Sequence, residues 1–170
     1  MEIFADIPEY WQRIDYALMQ NGPMNLYYRN EILDSDIDSL KGLGYLIEIF
    51  DCSKWENNGL MYDAFAEQLK FPDYFGRNLA ALNDCLCDLE MPEEGGRALV
   101  FKNYDQFAKI DGEIAQIVLD IIHSRSYSYL LTGHRLIGLV QSNDPCISFE
   151  VGSQGVQWNH REWLKSSRGL

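Results

Sequence analysis

The reactive side chains of this chain are three histidines, four cysteines and a surplus of carboxylates, and their spacing limits what each could do. His123, His134 and His160 stand at no metal-ligand spacing to one another. A catalytic histidine needs a partner that sequence does not reveal, and all three read better as solvent-exposed or internally satisfied. Cys52, Cys85, Cys87 and Cys146 are too few and too irregular for a disulfide framework. Cys85 and Cys87 form C-x-C, but on a helix such neighbours point in different directions, and no C-x-x-C or histidine completes a zinc site. Free thiols, buried or half-buried, are expected. Asp34, Asp36 and Asp38 open like a calcium loop, yet Ser39 stands where the loop needs Gly and Tyr45 where it needs a bidentate Glu. An acidic first helical turn accounts for them better. No G-x-S-x-G, Gly-rich phosphate loop or H-E-x-x-H occurs. No cofactor, metal or enzymatic activity is expected.

The remaining chemistry is recognition through charge. The run from Leu69 to Leu86, LKFPDYFGRNLAALNDCL, reads as a helix stop, a tight loop with two aromatics, a Gly, and a helix capped by Asn78. With Leu79, Leu82, Leu86 and Leu89 as its buried stripe, Ala80, Asp84 and Asp88 share the outward face at i, i+4 and i+8, flanked by Asn83 and Cys87. Spacing alone favours an ordinary solvated helix face. A protruding carboxylate beside an aromatic loop also makes a contact surface.

Net charge bears on which partner such a surface would fit. The chain has 170 residues and a formal charge of −12, with 46% apolar and 13% aromatic residues. The length suits one domain, and the composition excludes wholesale disorder. Residues 1–120 carry a net −14 and residues 121–170 a net +2. Direct nucleic-acid binding and attachment to an anionic membrane both require the opposite sign. An acidic surface is most often a solubility device, and the sharper alternative is a surface built for a basic partner. The start, MEIFADIPEYWQ, has neither a basic nor an apolar signal region, and no stretch is long enough to span a bilayer. A reduced, cytoplasmic, soluble protein is expected.

The elements that must position these residues follow from periodicity and breakers. Residues 7–18 predict a helix closed by Asn21-Gly22-Pro23, residues 25–28 a β-prone segment, and 32–40 a helix before Gly42 and Gly44. YLIEIF (45–50) predicts a buried strand. Residues 60–70 predict a helix with Leu60, Ala64, Phe65 and Leu69 on one side, followed by the capped helix 78–89. Residues 98–102 predict a short strand, 112–131 a long helix with Ile114, Ile117, Ile121 and Ile122 inward, and LIGLVQ (136–141) a second buried strand. Residues 147–151 and 156–158 about a Gly152–Gly155 turn predict a hairpin. The tail from Trp158 to Trp163 is most simply a hydrophobic anchor closing that hairpin on the core. Strands alternating with helices imply an α/β fold with a small, mainly parallel sheet, plus the C-terminal β-hairpin.

The run F-P-x-Y-F-G-x-N-L-x-A-L-x-D-x-L at 71–86 resembles the signature of the barstar family, intracellular inhibitors of ribonucleases. Weaker similarity runs from Tyr45 to Gln141. It divides one domain of 170 residues into an N-terminal extension (1–43), a barstar-like core (44–141) and a C-terminal hairpin and tail (142–170), as in decorated members of the family. The resemblance implies a three-stranded parallel sheet with helices and inhibition by plugging a basic ribonuclease or toxin nuclease, as an immunity protein or antitoxin does. Carried over residue by residue, Tyr74 matches the loop tyrosine, Gly76 the loop glycine and Asn78 the asparagine at the helix start. Asp84 matches the aspartate that enters the phosphate pocket, and Asp120 falls near a contacting glutamate. Ala80 and Asn83 stand where barstar has a second aspartate and a tryptophan, which implies altered affinity and partner choice. The expected partner-binding set is therefore Tyr74, Gly76, Asn78, Ala80, Asn83, Asp84, Cys87, Asp88 and Asp120. The alternative is a barstar-fold protein with another protein-interaction or small-molecule role, recognisable by a deep pocket with convergent, strongly shifted groups.

Overall fold

The computed structural model describes residues 4–170. Pro8 at the first helical position starts α1 (Pro8–Trp11), and the chain turns at Gln12-Arg13 before α2 (Ile14–Met19). The single helix expected over 7–18 is therefore two, because Arg13 takes an extended backbone and caps the second. β1 (Met24–Tyr27) and α3 (Asn30–Gly42) follow, then β2 (Leu46–Asp51), α4 (Asn58–Leu69) and α5 (Leu79–Cys87). β3 (Arg97–Lys102) leads into α6 (Tyr104–Ile110), α7 (Gly112–Leu131) and β4 (Leu136–Gln141). The chain ends with β5 (Glu150–Val151), β6 (Gln154–Gly155) and β7 (Gln157–Trp158). α6 was not expected: it is only seven residues long, and Asn103, in the left-handed region at φ 58°, opens it directly off β3.

The sheet is parallel throughout, in the order β2-β3-β4-β1-β7. It has five strands rather than the three implied by the resemblance, because β1 and β7, from outside residues 44–141, pair onto the β4 side. β5 and β6 form the expected antiparallel hairpin, but Gln157-Trp158 leaves it and pairs in parallel with Asn25-Leu26. β2 is an edge strand, so YLIEIF is not a buried strand: Leu46 and Ile49 are 44% and 41% exposed, and within β2 only Phe50 is buried. An apolar run reports hydrophobicity, whereas its position within the sheet is set by pairing across the chain.

Successive strand residues face opposite sides, and both sides are covered. Leu99, Phe101, Leu136 and Val140 pack with Phe50, Trp55 and the buried faces of α4, α5, α6 and α7. Ala98, Val100, Ile137 and Leu139 pack instead under Leu18, Leu33, Ile37 and Leu40 of α2 and α3. The N-terminal segment thus supplies a helical layer for the second face. Gly138 lies where β4 runs against the Met24 side chain, which would overlap any Cβ there. α4 turns Met61, Tyr62, Phe65 and Leu69 inward and leaves Leu60 40% exposed, and α7 buries Ala115, Val118, Leu119 and Ile122. The inward stripes are therefore offset from the expected ones, with Ile114 and Ile121 at their margins.

Buried polar clusters tie the termini to this frame. Asp15, fully buried, receives two bonds from Arg13 (3.0 and 2.7 Å) and one from the Tyr45 hydroxyl (2.9 Å), with Arg135 at 3.5 Å. Burial, then the Asp15 charge, pushes the Tyr45 phenol far above its ordinary range. Asp36 is mid-helix and buried rather than part of an acidic first turn. It accepts from the Tyr27 hydroxyl and the Asn159 amide (2.8 Å each) and from Arg161. The tail is held by Glu162, fully buried, which accepts from the backbone N–H groups of Tyr28 and Arg29 at 2.8 Å each. Trp163 is 59% exposed, so of the tail's two indoles only Trp158 packs against the core, beside the Glu162 anchor. Trp158 is covered by the Arg168 guanidinium at 4.3 Å.

Candidate functional site

The loop between α4 and α5 is fixed before any partner arrives. Lys70 ends α4 in the left-handed region, and Phe71 donates its N–H back to Ala66. Phe71 and Phe75 meet edge to face at 5.0 Å, Tyr62 meets Phe75 at 6.1 Å, and Phe75 N–H donates to the Pro72 carbonyl. Both phenylalanines face inward, which leaves Tyr74 at the tip, 87% exposed. Arg77, at φ 49°, reaches back to Asp63 (3.0 Å) and the Gly59 carbonyl (3.2 Å), closing the loop onto α4.

Asn78 then caps α5, its Oδ1 accepting from Ala81 N–H at 2.9 Å while its amide donates to the Gly76 carbonyl at 3.2 Å. A Cβ on Gly76 would come within 3.0 Å of that Asn78 amide, which explains the small residue. Removing the cap with Asn78→Ala should cost about 1 kcal/mol in urea unfolding. Leu82 and Leu86 are fully buried and Leu89 nearly so, as the stripe predicts.

Ala80, Asp84, Cys87 and Asp88 are exposed and Asn83 is half-buried. Asp84 forms no ion pair among the described residues, and its nearest polar neighbour is the Asn83 amide at 3.5 Å. Tyr74, Asp84 and Asp88 border one groove. Cys87 is turned toward α7, where Arg125 Nη1 lies 2.9 Å from its Sγ. Burial, reinforced by Asp84 and Asp88, raises the Cys85 thiol above its ordinary range and disfavours a nucleophilic thiolate.

Asp120 is not part of this face. Its carboxylate accepts from Gly152 N–H at 2.8 Å and holds the β5–β6 hairpin. On α7 it lies about 140° from Arg125 and about 180° from Tyr129, the two residues that reach α5. Tyr129 was not apparent in the sequence. Its hydroxyl accepts from Leu89 N–H at 3.0 Å and lies 2.9 Å from the carbonyls of Leu86 and Cys87, satisfying the end of α5. No local spacing relates residues 40 positions apart.

This geometry can present a carboxylate and a tyrosine on a preset surface. The strongly raised groups Tyr27, Tyr45, Cys52 and Tyr104 are shifted chiefly by burial in the interior, and none borders the groove. Among the described residues no three His, Cys, Asp or Glu side chains converge as a metal site, and no helix is long and apolar enough to cross a membrane.

The family model "Barstar (barnase inhibitor)" matches residues 46–140. The chain belongs to the barstar family. It is also similar to "Putative ribonuclease inhibitor YrdF" of Bacillus subtilis (strain 168), at 39% identity over 75 residues, 44% of this chain and 78% of that protein. The barstar match spans β2 through most of β4 and includes the whole loop and α5. β1, α3 and β7 lie outside it.

Proposed function

We propose that this barstar-family protein acts without catalysis, in the cytoplasm, as an immunity protein or antitoxin. It binds a basic ribonuclease or related toxin nuclease through the loop at 71–78 and α5. The observation that carries this reading is Asp84, an exposed carboxylate without an ion pair among the described residues, on a helix fastened at both ends by Asn78 and Tyr129. A nuclease that binds polyanionic RNA lines its active site with Arg and Lys. A carboxylate held in place can occupy the phosphate position and accept several charge-assisted hydrogen bonds. The rigid mounting matters because little ordering entropy remains to be lost on association. Ala80 and Asn83 make half of the face uncharged, so Asp84, Asp88 and Tyr74 carry the recognition.

Affinity capture from the source lysate with the tagged protein, followed by mass spectrometry, should recover a basic ribonuclease. Titrating the protein into that enzyme should abolish RNA cleavage at equimolar ratio. Capture without a nuclease, or undiminished cleavage, overturns the reading. The charge of −12 further predicts steered association. The association rate constant should fall about tenfold or more as salt rises from about 50 to about 500 mM, read by stopped flow, while the dissociation rate changes much less.

A further inference from the structure

Gly59 and Asp63 stand one turn apart on α4 and form a notch for one side chain of the 71–78 loop. Arg77 fills it. Its Nη2 donates to Asp63 Oδ2 at 3.0 Å and to the Gly59 carbonyl at 3.2 Å, and its Nε lies 3.0 Å from Asp63 Oδ1. A Cβ on Gly59 would lie 3.1 Å from that Nη2, so a larger residue there would crowd the guanidinium. Arg77 sits between Gly76 and Asn78 at φ 49°, a conformation that residues other than Gly rarely adopt. The two-pronged contact with Asp63 therefore holds the loop at its least relaxed residue, directly before the α5 cap.

Charge gives the pair a second consequence. Between positions 71 and 89 Arg77 is the sole cation, against Asp73, Asp84 and Asp88. Left unpaired, it would oppose a basic partner on the surface that attracts one. Asp63 cancels that charge and draws it back over α4. The two side chains are 54% and 56% exposed, so the pair adds little to global stability. What it supplies is order and sign at the contact surface.

We propose that Arg77 is a positioning residue for nuclease recognition and that Asp63 is its built-in counterion. Their clasp presets Tyr74 and Asn78 before the partner arrives. The proposal rests on the loop and α5 being the nuclease-binding face.

The test compares three full chains of equal net charge. They are the parent, Asp63→Asn/Arg77→Gln, which lacks the clasp, and Asp63→Arg/Arg77→Asp, which rebuilds it with the charges exchanged. Aspartate tolerates the left-handed backbone at position 77. Steady-state ¹H–¹⁵N NOE values at Tyr74 and Gly76 should fall in the clasp-free protein and recover in the exchanged one. Inhibition of the captured ribonuclease at about 500 mM salt, where steering is screened, should weaken about tenfold without the clasp and recover on exchange. The urea midpoint should move by no more than about 0.3 M in either variant. Unchanged NOE values or unchanged inhibition in the clasp-free protein, no recovery on exchange, or losses that track the urea midpoint would overturn the proposal. If the parent captures no nuclease, the nuclease reading falls and the NOE values still decide the clasp. If all three inhibit the nuclease alike, the clasp falls and that reading stands.

Discussion

Replacing Asp84 by Ala should weaken the complex with the captured ribonuclease by about 100-fold or more, chiefly through faster dissociation. In the free protein this carboxylate has no ion pair among the described residues and sits on an exposed face, so its loss leaves nothing orphaned within the fold. The stability change in urea should therefore stay within about 0.5 kcal/mol. In the complex the same deletion strands the nuclease's cations in a desolvated interface, and that penalty is what makes the effect large. Asp84→Asn keeps the shape and removes the charge. It should fall with the alanine variant if charge complementarity dominates, and near the parent if packing does. Inhibition constants for the three proteins against one ribonuclease separate these outcomes, and unchanged affinity for Asp84→Ala would remove Asp84 from the hot spot.

The second large effect concerns stability and the C-terminal tail. Glu162→Ala should cost about 3 kcal/mol in urea unfolding, because it orphans two backbone N–H groups that now donate to a buried carboxylate. The Arg29 ion pair adds little to this figure, since the Arg29 side chain is 49% exposed. Trp163→Ala should change stability by no more than about 0.5 kcal/mol, because the indole is 59% exposed. The reverse ranking would mean that the tail is held by apolar contact. Glu162 joins residues 134 and 133 positions apart, at the end of β1, so its loss should also free β7 from the sheet edge. Faster hydrogen exchange at Asn159, whose N–H donates to Leu26, would register that release.

Much of the fold was legible because some patterns are local. α7, β3 and β4 appear where an apolar period or run is bounded by Gly or Asn, and α5 appears with its Asn78 cap and its Leu82 and Leu86 stripe. What misled was position within the sheet. β2 has the composition of a buried strand yet lies at the edge, and Gln157-Trp158 has the alternation of a hairpin strand yet pairs in parallel with β1. Trp163 and Asp36 show the matching limit for single residues. A Trp in the tail suggests an anchor and an Asp in a helix suggests solvent, but the buried member of each local group was decided by a distant partner, Tyr28 and Arg29 for Glu162 and Tyr27 and Asn159 for Asp36.

The barstar signature, the capped helix that carries Asp84 and the net acidic charge are all legible in the residues alone. These follow from side-chain types at short spacings, where helix periodicity and capping act over a few residues. Long-range packing, by contrast, makes Asp120 hold the hairpin instead of joining the acidic face, lets Tyr129 close the end of α5, and lays α2 and α3 over the second face of the sheet. Each of these depends on groups brought together across tens of residues by strand pairing and burial, which no local pattern encodes.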